Sequence, residues 1–119
     1  MAPTLVFRVD GKPWLATGSP GGSRIITTVL QVLLNRLVHG LNLASAVAAT
    51  RIHSQLWPDQ VGMEQGLSAD TIERLQALGH RLVGVPAMGS ANSVEVLPGG
   101  AGSLGVADPR RRDAAAVAE

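Results

Sequence analysis

The run Thr17-Gly18-Ser19-Pro20-Gly21-Gly22-Ser23-Arg24-Ile25 divides an extended part of the chain from a helical one. Trp14 to Thr17 reads as strand, and Arg24 to His39 is the most helical segment of the sequence. A strand, a cluster of breakers and a helix in that order aim unpaired backbone N–H groups at one point. Two readings stay open: a tight strand-to-helix turn that needs glycine for positive φ, and a site for an anion or oxyanion. A phosphate loop is excluded because no Lys follows the glycines. A nucleophile elbow is excluded because Ser19 is not centred in G-x-S-x-G.

Upstream, Thr4 to Arg8 alternates around Leu5 and Phe7, and Asp10-Gly11 supplies the turn of a short hairpin. Downstream, Ser23 is the expected N-cap of the helix and Gly40 its stop. Apolar residues cover roughly two-thirds of that helix, more than the single stripe of a surface helix, so it needs cover on more than one side. A second helix is expected from Asn42 to Ala49, extended chain from Arg51 to Gln55 and a turn at Pro58-Asp59. A third helix follows Ser68 as N-cap, with Leu67 stapled onto Ile72, and closes at Gly79. Three strands are expected at Arg81 to Val85, Ser93 to Leu97 and Leu104 to Ala107, before a polar, Ala-rich tail from Asp108.

At 119 residues the chain is one domain at most, without repeats or a dividing linker. Charged residues make up 16% and the formal net charge is +1, so no field draws in nucleic acid. Mean hydropathy is +0.20, too apolar for disorder. Aromatic residues are only 3%, so Val, Leu, Ile and Ala must build the core, which suits layered sheet and helix. The absence of cysteine removes disulfides, thiolate metal sites and a cysteine nucleophile. No secretory signal is visible and no apolar run reaches the about 18 residues of a membrane span; the chain reads as soluble.

His39, His53 and His80 are spaced too widely for a local ligand pair, so no metal and no cofactor is expected. His80 suits a helix C-terminus, and His53 reads as structural. Met88-Gly89-Ser90-Ala91-Asn92-Ser93 is a small-residue loop, either presenting Ser90 or Asn92 to a ligand or serving as a tight connection. Asp108-Pro109-Arg110-Arg111-Arg112-Asp113 reads as a solvated tail or an ion-paired edge.

In order along the chain, Met1-Ala2-Pro3-Thr4-Leu5-Val6, the glycine run from Thr17 to Ile25, Arg51-Ile52-His53-Ser54-Gln55, Glu64-Gln65-Gly66, Leu78-Gly79-His80, Met88-Gly89-Ser90 and Asp108-Pro109-Arg110 resemble one family. It is the γ-glutamyltranspeptidases, and the matched region is the C-terminal part of the small subunit. The resemblance implies an α+β chain, part of the four-layer αββα sandwich of N-terminal nucleophile hydrolases, here supplying edge strands and the helices of one outer layer. Residues 1–107 would be the C-terminal portion of the small-subunit domain and 108–119 a polar tail.

In that family a self-cleaved precursor exposes a threonine whose α-amino group is its own general base. It transfers the γ-glutamyl group of glutathione or a related donor to water or to an amino acid or peptide amine. By position, Gly21 and Gly22 match the glycine pair whose backbone N–H groups form the oxyanion hole and touch substrate. The nucleophilic threonine, a serine pair and an acidic residue of the family all precede the point matched by Met1. The resemblance therefore implies a piece, inactive alone, whose partners are the rest of the small subunit and the large subunit of the same precursor. The competing reading is a non-catalytic interaction or oligomerisation remnant. The family setting is periplasmic or extracellular. Asn92 stands where Gln is common, and the Asp113 to Glu119 finish lacks the family's Gly- and Tyr-containing end.

Overall fold

The computed structural model describes residues 2–117. β1 (Thr4–Phe7) and β2 (Pro13–Gly18) form the hairpin expected from Asp10-Gly11. The Lys12 N–H donates to Asp10 Oδ1 at 3.1 Å and holds the turn. β2 then pairs with β6 (Asn92–Val96), and β6 with β7 (Ser103–Val106), giving an antiparallel sheet in the order β1-β2-β6-β7. These four strands form one contiguous sheet.

Residues directly opposite in an antiparallel sheet share a face. Leu15, Thr17, Ser93 and Glu95 are buried together on one side, and the row Leu5, Ala16, Val94 and Gly105 lies on the other.

Helix α1 (Arg24–Leu37) and helix α2 (Leu43–Ala48) cover the first side. α1 buries Thr28, Val29 and Val32 and leaves Ile26, Leu30, Leu34 and Leu37 exposed, so its wide apolar circumference is only partly used. Leu15, Val32, Leu43, Val47 and Ala91 form the core. Asn42 caps α2 by accepting the Ser45 N–H at 2.8 Å. Glu95 ties α1 to the sheet: it accepts from Arg36 Nε at 2.9 Å, from Arg36 Nη2 and from Trp14 Nε1 at 3.1 Å. The Arg8 and Arg36 guanidiniums lie over the indole, 5.0 and 5.5 Å from its centre.

A second sheet holds β3 (Ile52–His53), β4 (Val61–Met63) and β5 (Leu82–Gly84). β4 and β5 are parallel, and α3 (Ala69–Ala77) makes the crossover between them. Gln31 of α1 acts as a neighbour to β3: its Oε1 accepts the Ile52 N–H at 2.9 Å, and its Nε2 donates to Ile52 O at 2.8 Å.

Three local expectations change. Ser23 is already helical, at φ −61° and ψ −23°, and its side chain caps nothing; the Arg24 and Ile25 N–H groups donate instead to the Gly21 and Gly22 carbonyls. Ser68 takes the extended cap conformation, but its Oγ bonds Thr71 Oγ1 at 2.8 Å rather than a backbone N–H. β4 was not expected, because three residues following Asp59-Gln60 carry too short an alternation to register. Met1 and the last two residues of the expected tail lie outside the described residues.

Gln31→Leu removes both bonds to Ile52 and leaves that backbone pair half-buried. The substitution should cost about 1–3 kcal/mol in urea unfolding and speed exchange of the Ile52 amide before that of the Leu15 amide. Equal protection of both amides in the variant would mean that Gln31 is not what binds the second sheet to α1.

Candidate functional site

The glycine run folds as a turn between β2 and α1, with Gly21 at φ +136° and Gly22 at φ +60°, conformations that favour glycine. The N–H groups of Gly21 and Gly22 have no acceptor among the described residues, while both carbonyls are taken by the first turn of α1. Two adjacent donors therefore stand free beside a helix start. A Cβ added to Gly22 meets nothing within 4 Å, and one added to Gly21 reaches only Gly89 Cα at 3.8 Å and Arg24 Cβ at 3.9 Å.

Gly89 is the back wall. It has φ +70°, and a Cβ there would come within 2.5 Å of Ser19 Oγ and 2.9 Å of Thr28 Oγ1, so only glycine fits. The next residue braces the turn: the Ser90 N–H donates to Ser19 Oγ at 2.9 Å, and the fully buried Ser19 hydroxyl donates to Pro20 O at 2.7 Å. Asn92 is engaged structurally, its Oδ1 accepting the Asp108 N–H at 3.0 Å. A cleft of about 280 Å³ lies between Pro20, Gly21, Ala87, Gly89, Arg110 and Arg111.

The 88–91 loop is itself held by buried charges. Arg51, 2% exposed, donates from Nη1 to Met88 O at 2.6 Å and from Nη2 to Val47 O at 2.9 Å and to Asp108 Oδ2 at 2.7 Å. Asp108, wholly buried, also accepts the Ala91 N–H at 2.6 Å. Glu64 accepts the Met88 N–H at 2.6 Å and the Arg51 N–H at 2.9 Å. Arg110 spans both acids, reaching Glu64 Oε2 at 2.6 Å and Asp108 Oδ1 at 3.2 Å.

Of the two readings of 108–113, Asp108 and Arg110 take the ion-paired edge and not the solvated tail. Desolvation by itself raises the Asp108 and Glu64 carboxyls. The backbone N–H bonds and arginine partners outweigh it and hold both below the ordinary carboxylate value. Burial pulls Arg51 below the usual arginine value against the opposing pull of Asp108, yet a guanidinium remains charged at neutral pH. Its Nε has no partner among the described residues.

The structure thus gathers Gly21, Gly22 and the 88–90 loop, and it leaves the histidines aside. His53 Nδ1 is 2.8 Å from Thr27 Oγ1, a contact that joins β3 to α1. His80 follows α3 and is exposed. Among the described residues no group of three His, Asp or Glu is placed to hold a metal ion. Arg51 and Glu64 were missed as structural anchors. The one available signal was an isolated charge amid apolar neighbours, which a surface residue also shows.

Residues 1–118 match the family described as Gamma-glutamyltranspeptidase. The Escherichia coli glutathione hydrolase proenzyme is 50% identical over 113 residues, covering 95% of this chain and 19% of its own length. The chain therefore spans about a fifth of that curated relative. The crystal structure of the T380A mutant of Helicobacter pylori γ-glutamyltranspeptidase superposes with a TM-score of 0.87 at 45% identity, over 93% of this chain and 61% of the other. The Pseudomonas nitroreducens enzyme complexed with L-DON gives a TM-score of 0.87 at 36% identity, over 100% and 62%. The α+β chain accordingly has the N-terminal nucleophile hydrolase fold, of whose αββα sandwich it forms a part. No helix among the described residues is long and apolar enough to cross a membrane.

Arg51→Met should cost about 3–5 kcal/mol, because it takes from the buried Asp108 carboxylate the closer of its two arginine partners and leaves the Met88 carbonyl without its donor, whereas Lys12→Ala breaks an exposed pair worth at most about 1 kcal/mol. Since the folded pKa values of Asp108 and Glu64 are depressed, their contribution is present above the unfolded carboxylate pKa of about 4 and is lost as pH falls through the folded values. The thermal midpoint should hold between neutral pH and about 5 and drop below about 4. In Arg51→Met that acid-dependent drop should shrink; a drop of unchanged size would place the acid sensitivity elsewhere.

Proposed function

Because the chain belongs to the γ-glutamyltranspeptidase family over residues 1–118, we propose that it serves as the C-terminal segment of such an enzyme and supplies its oxyanion hole. The observation that carries this reading is the pair of unpaired N–H groups on Gly21 and Gly22, fixed from behind by Gly89 and Ser19. Fixed donors matter because they need not reorient as charge develops.

In the reaction so read, a threonine hydroxyl contributed by the remainder of the small subunit attacks the γ-carbonyl of glutathione or a related γ-glutamyl compound. The threonine's own α-amino group takes the proton. The carbonyl oxygen gains negative charge, and the Gly21 and Gly22 N–H groups bind it. The tetrahedral centre then collapses to the acyl-threonine ester with loss of the amine, and water or an amino acid or peptide amine resolves that ester. The large subunit and the rest of the small subunit are the partners, in a periplasmic or extracellular setting. The chain by itself has no nucleophile of this kind and should turn over no γ-glutamyl anilide.

The test is a hybrid in which this chain replaces the matching 113 residues of the Escherichia coli proenzyme. Gly22→Pro deletes one donor, and kcat for a γ-glutamyl anilide should fall by about 10²–10³, or further, since proline cannot take the φ of +60° found there. Gly22→Ala keeps the N–H and has room for its methyl, so it should lose only the strain of positive φ, about 1–2 kcal/mol. Self-cleavage is scored separately on gels. A fully cleaved Gly22→Pro hybrid with normal kcat would make these glycines a turn and nothing more.

A further inference from the structure

Between the start of α1 and the second sheet lies a cavity of about 250 Å³, with Arg24, His53, Ser54, Gln60, Val85 and Met88 in its walls. Its lining includes one arginine and no acid. One wall is fixed by bonds that join α1 to β3: Thr27 Oγ1 donates to Arg24 O at 3.2 Å and lies 2.8 Å from His53 Nδ1. Another is Met88, in the loop that backs the glycine turn and is anchored by Arg51 and Glu64.

Arg24 is the exception among the arginines. Arg8 donates to Val96 O at 2.9 Å, Arg36 pairs with Glu95, Arg51 with Asp108, and Arg110 with both Glu64 and Asp108. Arg74, Arg81, Arg111 and Arg112 have no side-chain partner among the described residues, and all four are exposed. Arg24 is half-buried in the cavity wall, and its guanidinium has neither a hydrogen bond nor an ion pair among the described residues. A guanidinium presents its N–H donors in a planar fork that matches a carboxylate. Partly desolvated and unfilled, that fork marks a place for an anion that arrives from outside the chain.

We propose that this cavity is the subsite for the carboxylate of the amino acid or peptide that accepts the γ-glutamyl group, with Arg24 binding it. The proposal rests on the oxyanion hole proposed above. The Arg24 Cβ stands 3.9 Å from where a Cβ on Gly21 would be, so the side chain starts beside the glycine donors. An amino acid or short peptide carries its carboxylate only a few bonds from the amine that must reach the ester carbon, and a cation this close to the held carbonyl oxygen orients it for attack. The amine nitrogen then bonds to that carbon, the ester C–O bond breaks, and the amine's surplus proton passes through the α-amino group to the threonine oxygen. By microscopic reversibility the amine released from glutathione departs through the same place, its own carboxylate on Arg24. Water has no carboxylate, so this contact favours transfer over hydrolysis.

The hybrid proenzyme is supplied with a γ-glutamyl anilide as donor and, in parallel, with glycylglycine or its C-terminal amide as acceptor, a pair in which a neutral amide replaces the carboxylate. In Arg24→Gln, KM for glycylglycine should rise about 10–100-fold relative to KM for the amide, the loss of one charge-assisted pair. Arg24→Lys keeps the charge without the fork and should fall between. Because both acceptors are measured on one preparation, a general loss of fold or of chemistry cancels in the ratio. An unchanged ratio overturns the proposal. Equal weakening of both acceptors together with slower self-cleavage also overturns it, since an acid of the precursor would then occupy Arg24. So does a ratio that moves in Arg111→Gln and stays fixed in Arg24→Gln, which would put the carboxylate in the cleft beside Gly21. Turnover of the anilide by the parent hybrid without acceptor, and its loss in Gly22→Pro, decide separately whether the oxyanion-hole reading stands.

Discussion

Arg51 and Asp108 face each other in the interior, 2.7 Å apart, with Arg110 as a second partner of the acid, and neither buried charge is tolerable there unpaired. An isolated buried ion costs several kcal/mol, so the pair commits everything that completes it. Completion here means the carbonyls of Val47 and Met88, the N–H of Ala91, and the second pair formed by Glu64 and Arg110. Replacing the set by apolar groups of equal volume could pack as well. It would not fix the path of the 88–91 backbone, because dispersion contacts lack direction and hydrogen bonds have it. The ions therefore contribute position more than stability.

Position is transmitted outward in short steps. The acids hold the loop, the Ser90 N–H holds Ser19, and Gly89 packs against Ser19 and Thr28 with no room for a side chain. Each step is a backbone contact or a buried hydroxyl, with few soft torsions between the charged centre and the free N–H groups. The arrangement suits donors that must be in place before charge appears.

The hairpin, the long helix and the glycine turn were legible in the sequence because each has a local cause: Asp10-Gly11 for the reversal, an apolar period near 3.6 for α1, consecutive glycines for positive φ. Ser23 was misread because the preceding glycine carbonyls accept the first helical N–H groups, a solution that propensity alone does not rank. β4 depends on α3 returning the chain beside it, which is tertiary information. The four charges of the clamp come from residues 51, 64, 108 and 110, whose roles no local pattern assigns. Three of the blocks that carried the family resemblance contain them, so the family pattern held a structural fact whose physics became visible only in the fold.

The bracing of residue 21 is completed by residues that lie far along the chain. Ser19 is separated from Ser90 by 71 positions, and Arg51 from Asp108 by 57. On a ribosome the glycine turn emerges before Gly89 and stays without its back wall until that residue appears, then without the ionic clamp until Arg110 has left the exit tunnel. Synthesis that stops just before Asp108 yields every described strand and helix of the sheet layer but a turn without its clamp. Residues 108–110 thus act as a checkpoint: donor geometry is delivered only once they have been added.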